Sequence, residues 1–182
     1  MAILTPDERP RLYLDIDGVI IAKNSPFATV DLNPIEKYAP EVIIRLGNIG
    51  MNLVWLSTWE EKETSHLSKQ LELLINHHRL DSVPSQAELS GITRKMLALI
   101  NDNQGKLTPI VWVDDEITPE VIHQVSEKHQ GPKLLISPNK QIGLSEIELN
   151  RIEDFAKEYI VRRSIDIVRH GNLLISDMLN SK

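Results

Sequence analysis

A doubly wound parallel α/β sheet is the fold class the sequence predicts, and three observations carry it. Apolar runs at Leu12-Tyr13-Leu14, Leu53-Val54-Trp55-Leu56 and Ile110-Val111-Trp112-Val113 have the length and content of buried strands. Each run ends in polar, reactive residues: Asp15-Ile16-Asp17, Ser57-Thr58 and Asp114-Asp115-Glu116. Helical patterns separate the runs, and open parallel sheets bind ligands outside the carboxyl ends of their strands. A common site at one edge of the sheet follows.

Leu12 to Ile16 reads as the first strand, and Gly18 lets the chain turn tightly away from it. Ile20 to Asn33 is a polar excursion with room for a short extra strand but not for a large inserted domain. Pro40 to Leu46 is a helix with proline in its first turn, closed by Gly47 or Gly50. Asn52 to Ser57 is the second strand. Glu61 to Ile75 carries Leu67, Leu71, Leu74 and Ile75 on an amphipathic helix, with His77-His78 at its end and a loop at Val83-Pro84-Ser85. Thr93 to Asn101 repeats the helical signal through Met96, Leu97 and Ile100, and Gly105 ends it before the strand Ile110 to Val113. Thr118-Pro119 caps and opens a helix from Glu120 to Lys128. Leu134-Leu135-Ile136 is a fourth parallel strand. Ser145-Glu146-Ile147-Glu148 is a capping box, and Ile152, Phe155, Ala156 and Tyr159 continue an apolar helix face.

Two carboxylates at the end of a buried strand need a reason. Side chains i and i+2 on a strand point the same way, so Asp15 and Asp17 would crowd each other unless a cation or a reacting group separates them. Taken singly, every feature has an ordinary reading. Asp17-Gly18 is then a turn, Ser57-Thr58 a helix N-cap, Asp114-Asp115-Glu116 a solvated loop and Lys95 a surface lysine. Their joint occurrence at strand ends favours a shared site. Trp55 and Trp59 flank Ser57; core packing suits Trp55, while Trp59 is placed to shape a pocket or stack on a base. The histidines have no two-ligand spacing and read as exposed or locally bonded, so no zinc site is expected.

In order and kind these residues resemble the haloacid dehalogenase (HAD) superfamily of phosphohydrolases, whose pattern is an Asp-x-Asp loop, a later Ser or Thr, a Lys or Arg, and an acidic pair. The spellings Leu14-Asp15-Ile16-Asp17-Gly18-Val19, Trp55-Leu56-Ser57-Thr58-Trp59-Glu60 and Trp112-Val113-Asp114-Asp115-Glu116-Ile117-Thr118 are similar to small bacterial HAD domains related to those of RNA-repair proteins, over about residues 11 to 158. The resemblance implies a Rossmann-like, HAD-like fold and a Mg2+-dependent phosphatase. It implies Asp15 as nucleophile and Asp17 as general acid and base. The metal ligands it implies are Asp15, the backbone carbonyl of Asp17 and Asp114, with Asp115 or Glu116 positioning them. Ser57, with backbone amides near Gly18 and Thr58, would hold the phosphoryl oxygens, Trp59 would border the substrate, and Lys95 or its neighbour Arg94 would supply the positive charge.

Larger relatives insert a cap after the Asp loop or the Ser motif. Here only Ile20 to Asn33 and Glu60 to Gly91 are available, so no cap or a minimal one is expected, over a site open to the phosphate of a large substrate.

At 182 residues, the chain reads as one domain, residues 1–158, followed by a helical extension, 159–182. Arg162, Arg163, Arg169 and His170 lie among apolar residues in that extension, which is suited to packing on the domain, to pairing with a second copy, or to meeting an anionic partner. The chain has no cysteine and a formal charge of -6, which disfavours a thiolate metal site and broad binding along a nucleic-acid backbone. A nucleic-acid partner therefore rests on the RNA-repair resemblance alone. No apolar run approaches the ~18 residues of a membrane span, and the Met1-Ala2-Ile3-Leu4 start lacks a signal-peptide pattern, so a cytoplasmic protein is expected. The rival classes are a catalytically silent binding module, disfavoured by the presence of both Asp15 and Asp17, and a receiver domain, whose acidic pair and phospho-acceptor come in the opposite order.

Overall fold

The computed structural model describes residues 9–21, 40–71, 75–77 and 90–160. Five strands, β1 (Arg11–Leu14), β2 (Asn52–Trp55), β3 (Ile75–His77), β4 (Ile110–Val113) and β5 (Lys133–Ile136), form one parallel sheet in the order β3-β2-β1-β4-β5. The chain builds outward from β1 to β3, then crosses back to lay β4 against the other side of β1. β1 and β4 therefore flank the point where the winding reverses, the usual location of a ligand crevice. Leu14 is level with Trp55 on one side and Val113 on the other, so these strands end together.

Successive side chains on a strand face opposite ways, and here both ways are dry. Leu12, Leu14, Leu53, Trp55, Val111 and Val113 enter one core with Leu46, Leu67, Leu71, Leu149, Ile152 and Ala156. Tyr13, Val54, Leu56, Ile110 and Trp112 enter the other with Met96, Ala98, Leu99, Val121 and Val125. The first layer thus belongs to α1 (Pro40–Asn48), α2 (Glu61–Gln70) and α5 (146–160), the second to α3 (Gly91–Asp102) and α4 (Pro119–Lys128). Trp55 is a core residue, its indole N–H donating to Ser68 Oγ at 2.8 Å.

Local signals set the helix ends. Thr118 caps α4 by accepting from the Val121 amide, and the Ser145 amide donates to Glu148 at 2.7 Å at the start of α5. α1 runs through Gly47, and the left-handed turn that follows falls at Gly50, φ 75°. α3 begins earlier than its apolar periodicity suggests, because Ser90 caps it by accepting from the Thr93 amide.

One element departs from the sequence reading. The helix expected over Glu61 to Ile75 stops at Gln70, and Ile75–His77 pairs with Leu53–Trp55 as edge strand β3, so His77 lies on a strand rather than at a helix end. A short apolar run fits either period, and here backbone pairing along the open edge of β2 decides it. Of the histidines read as exposed or locally bonded, His129 is buried, and burial, with Lys133 nearby, keeps its imidazole below the usual histidine pKa. The expectations for 22–39, 78–89 and 161–182, including most of any cap and the basic tail, lie outside the described residues.

At the amino end of β1, the buried Tyr13 hydroxyl donates to Asp102 at 2.5 Å and accepts from Asn103 Nδ2 at 2.9 Å, while Arg11 pairs with Asp102 at 2.5 Å. Burial and the Asp102 carboxylate push the Tyr13 phenol well above its usual range. Asp102→Ala removes the acceptor that Asp102 offers that hydroxyl and is expected to cost about 1–3 kcal/mol in urea unfolding; an unchanged midpoint would show that the group is satisfied otherwise.

Candidate active site at the carboxyl ends of the strands

β1 delivers Asp15 and β4 delivers Asp114 to the reversal point of the sheet, while β2 delivers Ser57 beside them; all three are buried. α3 runs back over the sheet and lowers Lys95 between the two aspartates. Its ammonium lies 2.7 Å from Asp15 Oδ2 and 2.9 Å from Asp114 Oδ2. Lys95 is only 3% exposed, which disposes of the ordinary surface-lysine reading. Ser57 is likewise no helix cap: α2 is capped by Glu60, boxed with Glu63, and the Ser57 hydroxyl bonds the Asp15 carboxylate instead.

The electrostatics follow from one cation serving two anions. Burial lowers the proton affinity of Lys95, but the charges of Asp15 and Asp114 outweigh it and hold the ammonium protonated. Burial raises the pKa of Asp15 against the opposing pull of Lys95, the Ile16 amide and Ser57. Asp114 is pushed up to about 6 by burial and by the charge of Asp15, although Lys95 and the Glu116 amide, 3.0 Å from its Oδ1, favour the charged form.

Asp115 completes an acidic trio. Asp15, Asp114 and Asp115 each offer a carboxylate oxygen, all within 4.8 Å of one another. Three carboxylates against one ammonium leave two negative charges, and the donors are all hard oxygens, so the trio suits a hard divalent cation.

Asp17 does not join the trio. The strand ends at Leu14, so the expected crowding of Asp15 and Asp17 on one face does not arise: Asp15 is buried, and Asp17 is exposed and accepts from Trp59 Nε1 at 2.9 Å.

The chain matches the family model described as the HAD domain in Swiss Army Knife RNA repair proteins, over residues 11–149. It belongs to that HAD-domain family. No curated protein and no solved structure gives a significant match. The matched span takes in all five strands and every residue of the buried cluster, and the core of this HAD domain continues past it through Ile152 and Ala156 of α5.

The remaining sequence candidates of the HAD domain are placed as follows. Thr58 is exposed at the rim, where its methyl would be in ordinary contact, 3.6 Å, with a Cβ at Gly91. Arg94 is half-buried, with its Nε lacking a hydrogen-bond partner among the described residues; the ammonium that meets the two aspartates is that of Lys95. The Gly18 amide donates to the Ile21 carbonyl at 2.7 Å, within the turn that follows β1. Sequence reasoning missed the bond between Trp59 and Asp17, since residues 42 apart carry no local signal of contact.

Gly18 has two independent reasons to be glycine. Its φ is 73°, and a Cβ there would lie 2.5 Å from Asp115 Cγ. Gly18→Ala is therefore expected to lower stability by about 1–3 kcal/mol in thermal unfolding, as the turn and the Asp115 carboxylate cannot both keep their places. A wild-type melting temperature would show that Asp115 moves aside freely.

Proposed function

We propose that this HAD domain hydrolyses phosphate monoesters through an aspartyl phosphate on Asp15, with Mg2+ at Asp15, Asp114 and Asp115. The observation that carries the reading is the buried ammonium of Lys95 shared by Asp15 and Asp114 at the reversal point of the sheet. An acid cluster held this way is costly for a purely structural purpose, because each buried ion loses hydration worth several kcal/mol. The Asp-x-Asp loop of the HAD superfamily gives the chemistry its form.

In that chemistry the Asp15 carboxylate attacks phosphorus as the bond to the leaving oxygen breaks, and Asp17 gives that oxygen its proton. Water then attacks the aspartyl phosphate, Asp17 takes its proton, and the bond from phosphorus to Asp15 oxygen breaks to release phosphate. Lys95 holds Asp15 in place and offsets the charge that gathers there, and Ser57 fixes the rotation of the carboxylate. Mg2+, when bound, supplies positive charge against the phosphoryl oxygens.

For the substrate, the exposed position of Asp17 supports a phosphate presented from outside rather than a metabolite enclosed by the domain. The Swiss Army Knife RNA repair description of the family favours an RNA end as that bulky ester. The net charge of -6 supports short, local contact with such an end over extended tracking of its backbone.

Asp15→Asn is expected to abolish turnover of an aryl phosphate while circular dichroism stays native, because an amide cannot form the acyl phosphate. Wild-type activity is expected to vanish with a chelator and return with magnesium, and Asp114→Ala to need much more magnesium for half-maximal rate. Turnover by folded Asp15→Asn near the wild-type rate, or full activity after exhaustive chelation, would sink the proposal.

A further inference from the structure

We infer that Trp59 is a positioning residue that fixes the orientation of the Asp17 carboxylate; the inference rests on the reading of Asp17 as general acid given above. The Trp59 indole N–H donates to Asp17 Oδ2 at 2.9 Å. An indole nitrogen can only donate. An oxygen that accepts from it has its lone pair directed at that hydrogen, so Oδ2 is turned to the ring and Oδ1 away from it. On the general-acid reading, Oδ1 is then the oxygen turned toward the leaving group and, later, toward the attacking water.

The tryptophan is itself held at several points, which is what a positioning role requires. Its side chain is half-buried and packs against the core layer of α1, α2 and α5. Its backbone amide points to Ser57 Oγ at 3.4 Å, and that hydroxyl bonds Asp15. Trp59 thus spans the two ends of the chemistry, with its backbone on the serine that steadies the nucleophile and its ring edge on the acid. Asp17 follows the end of β1 and is exposed, and among the described residues the indole is the side chain that bonds its carboxylate. A ring that only stacked on substrate would have no need to commit its N–H to an aspartate.

The role separates from a structural one through the leaving group. An alkoxide or phenoxide needs a proton as it departs; 2,4-dinitrophenolate does not. In Trp59→Phe, kcat/KM on phenyl phosphate is expected to fall roughly 10-fold further than kcat/KM on 2,4-dinitrophenyl phosphate, the scale of one lost hydrogen bond to a charged group. Asp17→Asn is expected to show the same selectivity more strongly, roughly 100-fold, and the double variant no more than Asp17→Asn alone. Should the phenylalanine variant fold poorly, Trp59→benzothienylalanine keeps the ring shape and replaces only the N–H by sulfur, and the same selective loss is expected of it. An equal loss on both esters, no loss on phenyl phosphate, or a further selective loss added by Trp59→Phe on top of Asp17→Asn overturns the inference. No turnover by wild type, or an Asp17→Asn loss equal on both esters, overturns the general-acid reading itself, and the inference falls with it.

Discussion

One ammonium between two buried carboxylates sets the terms for the rest of this molecule. Lys95 meets Asp15 and Asp114 in a pocket where none of the three is more than 4% exposed. Taking such charges out of water costs more than a single contact returns, so the cluster persists only where every oxygen finds additional donors. The ends of parallel strands provide them, because backbone amides there are no longer committed to the ladder. The Ile16 amide turns onto Asp15 and the Glu116 amide onto Asp114. Even so supported, the cluster keeps an excess of negative charge, and the Asp15 carboxylate adds to the burial that raises Asp114. That excess suits the pocket to a divalent cation, and the carboxylate of Asp115 adds to it.

Holding Lys95 at that point requires α3 to keep its register on the sheet. Lys95, Leu99 and Asp102 recur at helical spacing on one face of α3. Asp102 binds Arg11 and Tyr13 at the start of β1, Leu99 fills the core between, and Lys95 binds Asp15 just past the end of β1. The helix is therefore fastened to one strand by polar contacts at both ends, roughly 10 Å apart along its axis. Asp102 near a helix carboxyl terminus opposes the helix dipole, and Arg11 offsets that conflict. The Tyr13 cluster, at the other end of β1, thus bears on where the Lys95 ammonium sits.

Much of this was legible because strand ends and helix caps leave local marks. The hydrophobic runs at 12–14, 53–56 and 110–113 could hardly be anything but buried strands, and what followed each was fixed by chain order. β3 was not legible, since Ile75–His77 is too short to show a period and its pairing with β2 is a tertiary fact. Arg94 and Lys95 are neighbours in sequence but about 100° apart around a helix, a difference that a single turn of periodicity could not resolve. The serine at 57 and the lysine at 95 each had a commoner surface role. Only their burial separates the two readings, and burial of a polar residue depends on partners far away in the chain.

The two aspartates of the Asp15-Ile16-Asp17 loop show how one short segment yields two chemically different acids. Had β1 continued through residue 17, both would have shared a face and repelled each other. The ladder instead stops at Leu14, and the turn over Ile16, closed by Gly18, sends the two side chains into different surroundings. Asp15 goes into a dry pocket against a fixed cation, where hydration no longer shields its charge. Asp17 stays at the exposed surface, where the Trp59 indole N–H donates to it. The proposed mechanism suits this division, since a nucleophile must hold its orientation whereas a proton carrier must exchange with its surroundings. Separating these demands by solvent exposure within three residues needs a turn at that point, and the left-handed glycine that makes it also brings the backbone against Asp115, coupling the shape of the loop to the acidic trio.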